Sequence, residues 1–186
     1  MKNTVIVSGH PDLSESTANR LILKEVKNAM PNVQIRDLGK LYPDFNINVA
    51  DEQNALANAD IIVWQFPFYW YAMPALMKKW IDDVHTYGFA YGSTGNKLHG
   101  KPLIVSLTAG GDETGYSKGG HEGREIGDFF HQFEATAHLC GMDFKPVIYS
   151  YEMHYIDGVG SADDLARVQN SAKAHAEKLV KALSSL

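Results

Sequence analysis

Three short runs of apolar residues constrain what this chain can fold into: Thr4–Ser8 (TVIVS), residues 60–66 (DIIVWQF) and residues 102–107 (PLIVSL). Each is apolar at nearly every position rather than at every second one. That is the pattern of a strand buried on both faces, as in a parallel sheet covered by helices. Between the runs, apolar residues recur at three- and four-residue steps, the spacing of one helix face. One stripe is Ala18, Leu21, Ile22, Val26, Ala29 and Met30, stopped by Pro31. A second follows Pro74, with Leu76, Met77, Trp80, Ile81 and Val84. A third is Ile126, Phe129, Phe130, Phe133, Ala137 and Cys140, and a last one runs from Leu165 to Leu183. Residues 50–59 read as a short helix, and residues 33–38 and 146–151 as weaker strands. Strand and helix alternate about five times, which predicts an α/β fold with a parallel sheet and helices on both faces.

Five such units in 186 residues fit the flavodoxin-like strand order 2-1-3-4-5 as a single domain over residues 1–186. Residues 39–48 and 87–100 are the only long excursions. Lysine and arginine number 17 against 22 aspartates and glutamates, a net charge of −5, which makes no electrostatic case for nucleic acid. The single cysteine, Cys140, excludes an internal disulfide and falls on an apolar helix face, the place of a core thiol. The 8 histidines show no metal-binding spacing, so no metal is expected. The opening apolar run is too short for a signal core or a span. These features predict a soluble, cytoplasmic protein.

In an open α/β sheet, ligands bind beyond the carboxyl ends of the strands, so the loops after the first, third and fourth strands should converge. The first carries His10, Ser14, Ser16 and Thr17 at a helix start. Helix capping accounts for Ser14 or Ser16 taken alone. A helix N-terminus with hydroxyls beside it also suits a phosphate, and neither a P-loop nor a Gly-x-Gly-x-x-Gly fingerprint is present. The second loop belongs to residues 64–71 (WQFPFYWY), six of which are aromatic. Trp64 and Phe66 read as core. Residues 68–71 are bracketed by Pro67 and Pro74 and are expected as an exposed aromatic loop, either a platform for a flat ring or a dimer contact. The third loop carries Thr108, Ala109, Gly110 and Gly111, then Tyr116 and His121. Paired glycines let backbone N–H groups approach a developing anion closely.

Taken together, the chain resembles the NAD(P)H:quinone oxidoreductase family of flavodoxin-like flavoproteins. It looks most like the bacterial branch that includes the ancillary subunit of glutathione-gated potassium efflux systems. The residues that carry the likeness are Gly9-His10-Pro11 with Ser16-Thr17-Ala18-Asn19, residues 41–46 (LYPDFN), residues 64–71, Lys79-Trp80-Ile81-Asp82, Ala90-Tyr91-Gly92 and Thr108-Ala109-Gly110-Gly111. The resemblance implies a homodimer with a flavin in each site, FMN in preference to FAD, and NAD(P)H as co-substrate. It implies that His10, Ser16, Thr17 and Asn19 line the phosphate side. Pro67, Phe68, Tyr69 and Trp70, with Thr108, Ala109, Gly110 and Gly111, would surround the ring. Tyr116 and His121 match the family's catalytic pair.

The function expected from this likeness is ping-pong transfer of hydride from NAD(P)H to flavin N5 and on to a quinone or similar electrophile. An alternative from another class is a regulatory flavoprotein subunit on a potassium efflux transporter, its membrane link made through that partner. A one-electron carrier is a third reading, against which the modest charge of −5 argues.

Overall fold

The structure, a computed structural model, describes residues 2–186. Its strands are β1 (Thr4–Ser8), β2 (Gln34–Asp37), β3 (Ile61–Pro67), β4 (Pro102–Thr108), β5 (Asp143–Phe144) and β6 (Ile148–Ser150). Its helices are α1 (Thr17–Ala29), α2 (Leu38–Leu41), α3 (Val49–Ala57), α4 (Ala75–Val84), α5 (His131–Leu139) and α6 (Ala162–Ser184). The sheet runs β2-β1-β3-β4-β5, with β6 also on β4, and every pairing is parallel. The expected order is therefore observed.

The fifth strand differs from expectation. It comes in two pieces along the same edge, Pro102–Leu103 of β4 pairing β5 and Ser106–Thr108 pairing β6. Pro146 lies in the gap, where a residue without an N–H cannot donate to a ladder. The aromatic stripe after residue 125 also divides, into a 3₁₀ turn (Ile126–Phe129) and then α5. A short helix, α2, occupies the start of the excursion at residues 39–48.

Alternation along the buried strands sorts the core into two layers. Val5, Val7, Trp64, Phe66, Leu103, Val105 and Leu107 join the layer of α4 and α5. Ile6, Val63 and Ile104 join the layer of α1 and α6. Gly9 ends β1 where a side chain could not fit: a Cβ there would lie 2.7 Å from Met77 Cβ. The missing side chain lets α4 pack against the strand end.

One carboxylate is buried inside the first layer. Glu52 of α3 accepts from Arg36 Nε at 3.0 Å, from the end of the same guanidinium, from the Tyr42 hydroxyl at 2.5 Å and from Trp80 Nε1 at 2.9 Å. Those donors belong to β2, the segment after α2, and α4, so a single side chain ties four segments together. Burial and the neighbouring carboxylate push the Tyr42 hydroxyl up to about 12.

Two buried histidines set an acid limit. His85 lies edge-on between Trp64 and Trp80, at 5.8 and 5.3 Å between ring centroids. His175 bridges two serines. Burial drives each imidazole down to about 4, helped at His175 by Lys178. An unfolded histidine titrates near 6.5, so as the pH falls the unfolded chain binds protons first. The contribution of these groups is complete above about 6.5 and is lost progressively towards 4. Urea midpoints are therefore expected to fall steeply between pH 6.5 and 4.5, and less steeply for His85→Phe. Equal slopes for the two proteins would contradict this.

Candidate functional site

The three loops expected to converge do so at the carboxyl end of the sheet. A cleft of about 450 Å³ is lined by His10, Ser16, Thr17 and Asn19 from the first loop, Pro67, Phe68, Tyr69 and Trp70 from the second, and Thr108 and Gly110 from the fourth strand's loop. Asn19 joins all three at the base. Its carbonyl accepts from Gln65 Nε2 at 2.5 Å and from Thr108 Oγ1 at 3.2 Å. Its amide and its backbone N–H both donate to Ser16 Oγ, each at 3.1 Å. Ser16 is thus the N-cap of α1. Capping and a place in the cleft are the same arrangement here, because the cap hydroxyl sits where the first turn's free N–H groups point.

No lysine or arginine lines this cleft; Arg20 lines an adjoining one of about 660 Å³ that shares Glu15, Thr17, Tyr69, His154 and Tyr155 with it. An anion held at Ser16 and Thr17 would be met by the helix dipole and hydroxyls. His10 is buried and mainly for that reason titrates below its ordinary value. Its Nδ1 accepts from Asp12 N–H at 3.1 Å, so the neutral ring carries its proton on Nε2, 3.4 Å from the Tyr69 hydroxyl.

The aromatic loop is partly a correction. Phe68 is buried, packed on Tyr116 and Phe129 at 6.3 and 5.8 Å. Trp70 is 91% exposed. It sits in a tight turn closed by Ala72 N–H to Tyr69 C=O at 3.0 Å, with φ of 48° at Trp70 and 64° at Tyr71. Two positive φ values at the centre are the signature of a type I′ turn, which favours Asn and Gly. Bulky aromatics there are strained, as happens where a loop serves a surface or site. Trp70→Gly is expected to leave the melting temperature unchanged or to raise stability by up to about 1 kcal/mol, by relieving the left-handed backbone. A clear loss of stability would show that the ring packs usefully within the fold.

The third loop divides. Gly110 faces the cleft. Ala109 is fully buried, and its N–H is already committed to Ser150 C=O at 2.9 Å, while Gly111 does not line the cleft. Tyr116 is buried in the aromatic cluster, against Tyr151 at 5.8 Å, and its hydroxyl titrates above the ordinary value mainly through burial. His121 has a side chain 71% exposed and meets Glu122 at 3.0 Å. Neither ring of that pair lines the cleft of the single chain. Within the loop both rings lie close over glycines: a Cβ at Gly111 would come within 3.1 Å of the Tyr116 ring and one at Gly115 within 2.6 Å of the His121 ring.

Met153, His154 and Tyr155, which follow β6, line the cleft and were absent from the sequence-based site, as was Glu15. The rule that placed the other loops applies equally after the fifth strand, but this stretch has no glycine pair or aromatic run to mark it. Cys140 is buried and pushed up to about 11, an unreactive thiol.

A family sequence profile for the flavodoxin-like fold matches residues 2–179. The chain belongs to this flavodoxin-like family. Solved structures agree. A general stress protein 14 from Treponema denticola, in complex with FMN, is 31% identical over 97% of this chain and 99% of its own, with a TM-score of 0.86. An NADPH-quinone reductase from P. pentosaceus is 30% identical over 95% of this chain and 98% of its own, at 0.75. A structure described as a thermophilic tryptophan halogenase from Streptomycin violaceusniger is 35% identical over 92% and 96%, at 0.78. These flavodoxin-like relatives carry different functional names, so what they share with this chain is the family and the architecture that builds the cleft.

Proposed function

We propose that this flavodoxin-like chain is a flavin-dependent NAD(P)H:quinone oxidoreductase that uses FMN. The observation that carries the proposal is the joining of a lysine-free, hydroxyl-capped helix start to an aromatic wall by one residue, Asn19. The residues present fit FMN. Ser16, Thr17 and Asn19 would hold its phosphate, and Tyr69, Trp70, Thr108 and Gly110 would flank its ring. The cleft volume suits a ligand of that class. The FMN complex of the Treponema relative supports the cofactor, and the NADPH-quinone reductase relative supports the reaction. When bound, the flavin supplies the hydride chemistry between NAD(P)H and a quinone. The protein's own part is to position it. The N–H of Gly110, without an acceptor among the described residues, can donate to a developing anion.

We further propose a homodimer in which a second copy meets the exposed Trp70 turn and brings the chain's remaining site groups, Tyr116 and His121, into use. A role as a regulatory, ancillary flavoprotein subunit of a potassium efflux transporter, with redox activity secondary, is the second reading. Among the described residues no helix is long and apolar enough to cross a membrane, so that link would need a partner protein.

The purified protein is expected to be yellow, or to take up added FMN, and to bleach under NAD(P)H without oxygen, with colour returning on addition of a quinone. A protein that binds no flavin would overturn the reading. Bleaching with no turnover of any quinone would favour the transporter-subunit role.

A further inference from the structure

The three central strands become polar together just before they reach the cleft. Ser8, Gln65 and Ser106 lie side by side in register on β1, β3 and β4, and all are fully buried. They follow Ile6, Val63 and Ile104 by two residues, so they face the α1 and α6 layer. Each of those helices answers with one polar side chain. From α1 comes Asn19, which takes Gln65. From α6 comes His175, fully buried, its Nε2 2.8 Å from Ser106 Oγ and its Nδ1 2.9 Å from Ser150 Oγ.

Ser150 lies at the point where the two lips of the cleft are joined. Its carbonyl accepts from Ala109 N–H at 2.9 Å. Met153 N–H then donates to Ala109 C=O, and Glu152 N–H to Gly111 C=O, both at 2.9 Å. One lip carries Thr108 and Gly110, and the other carries Met153, His154 and Tyr155. A neutral imidazole has one donor and one acceptor, enough to satisfy both hydroxyls at once.

We propose that His175 is a positioning residue for the cleft: by bridging Ser106 and Ser150 it sets the spacing of the two lips, without itself touching the ligand. Its effect on ligand binding rests on the flavin reading above; its effect on the lips does not. An ordinary core histidine would act otherwise. Its loss would lower stability throughout, with the folded cleft unchanged.

The test compares His175→Leu, His175→Gln and Ser150→Ala with the unaltered protein. Amide hydrogen exchange is read at Ala109, Glu152 and Met153 against amides of β1, and FMN is titrated by fluorescence quenching under conditions where each protein is folded. In His175→Leu the three lip amides are expected to exchange about tenfold faster relative to β1, and FMN affinity to fall about tenfold, the size of one or two buried hydroxyls left unpaired. Glutamine, which also offers one donor and one acceptor, is expected to restore most of both. Ser150→Ala, the gentler change, is expected to move both readouts in the same direction and serves if the leucine variant does not fold. A uniform rise in exchange, or unaltered FMN affinity with loosened lips, would overturn the proposal. Lip amides that respond as expected in a protein that takes up no FMN would support the positioning role and remove the flavin reading.

Discussion

Glu52→Ala is expected to cost about 3–5 kcal/mol of stability or to prevent folding, because removing the buried carboxylate leaves the Arg36 charge with only the exposed Asp51 as partner. Arg36 is held charged above its ordinary range: burial opposes this, and the Glu52 and Asp51 carboxylates outweigh burial. Without Glu52 the Tyr42 hydroxyl and the Trp80 indole N–H also lose their acceptor inside the core. These unpaired groups, at about 1–3 kcal/mol each, make up much of that loss. Urea denaturation followed by far-ultraviolet circular dichroism measures the loss. The physical cause can be isolated with Arg36→Met combined with Glu52→Met, which removes both charges and fills the space. That pair is expected to lose less than Glu52→Ala alone. A single alanine variant within 1 kcal/mol of the parent, on the scale of an ordinary surface change, would show that the network is not the tie it appears in the fold.

Asn19→Leu is the second large effect, read at the cleft rather than in the core. Leucine keeps the number and branching of the side-chain heavy atoms but offers no polar atom. Gln65 Nε2 and Thr108 Oγ1 lose their acceptor, and Ser16 Oγ loses one of its two donors. Gln65 already holds its Oε1 without a partner among the described residues, so its amide is left wholly unsatisfied. The loops after β1, β3 and β4 then lose their common fixed point. Under the flavin reading, FMN affinity is expected to fall roughly 100-fold, two buried groups at about 1.4 kcal/mol per tenfold. Fluorescence titration measures it. An affinity within threefold of the parent would place the flavin elsewhere.

The doubly wound sheet was legible because its signal is one-dimensional. Runs such as TVIVS and PLIVSL bury both faces, Pro31 stops a helix by removing a hydrogen bond, and Pro74 opens one where no intrahelical N–H is needed. The loops at the strand ends were legible for the same reason: once the order is known, the edge that carries them is known. His10, Ser16, Thr17, Asn19 and residues 67–70 come together as that rule requires. Phe68 was misjudged because a bracketing pair of prolines shows that a segment is a loop but not which of its rings turns inward. The lip at Met153, His154 and Tyr155 was missed because its residues carry no local pattern.

What the sequence determined by itself is therefore the alternation of elements, the parallel order and the cluster of aromatics after the third strand, since periodicity and proline act within a few residues. Only the tertiary structure decided which polar groups share a partner. Glu52 is enclosed by Arg36, Tyr42 and Trp80, Asn19 spans three loops, and His175 joins two strand ends. A buried polar side chain must find its hydrogen bonds wherever packing places them, and the partners lie up to 89 positions away along the chain. Tertiary contacts likewise decided that Tyr116 and His121 lie outside the single-chain cleft. Their loop was recognisable, while the folding of that loop over Gly111 and Gly115 is a property of contacts that no spacing encodes.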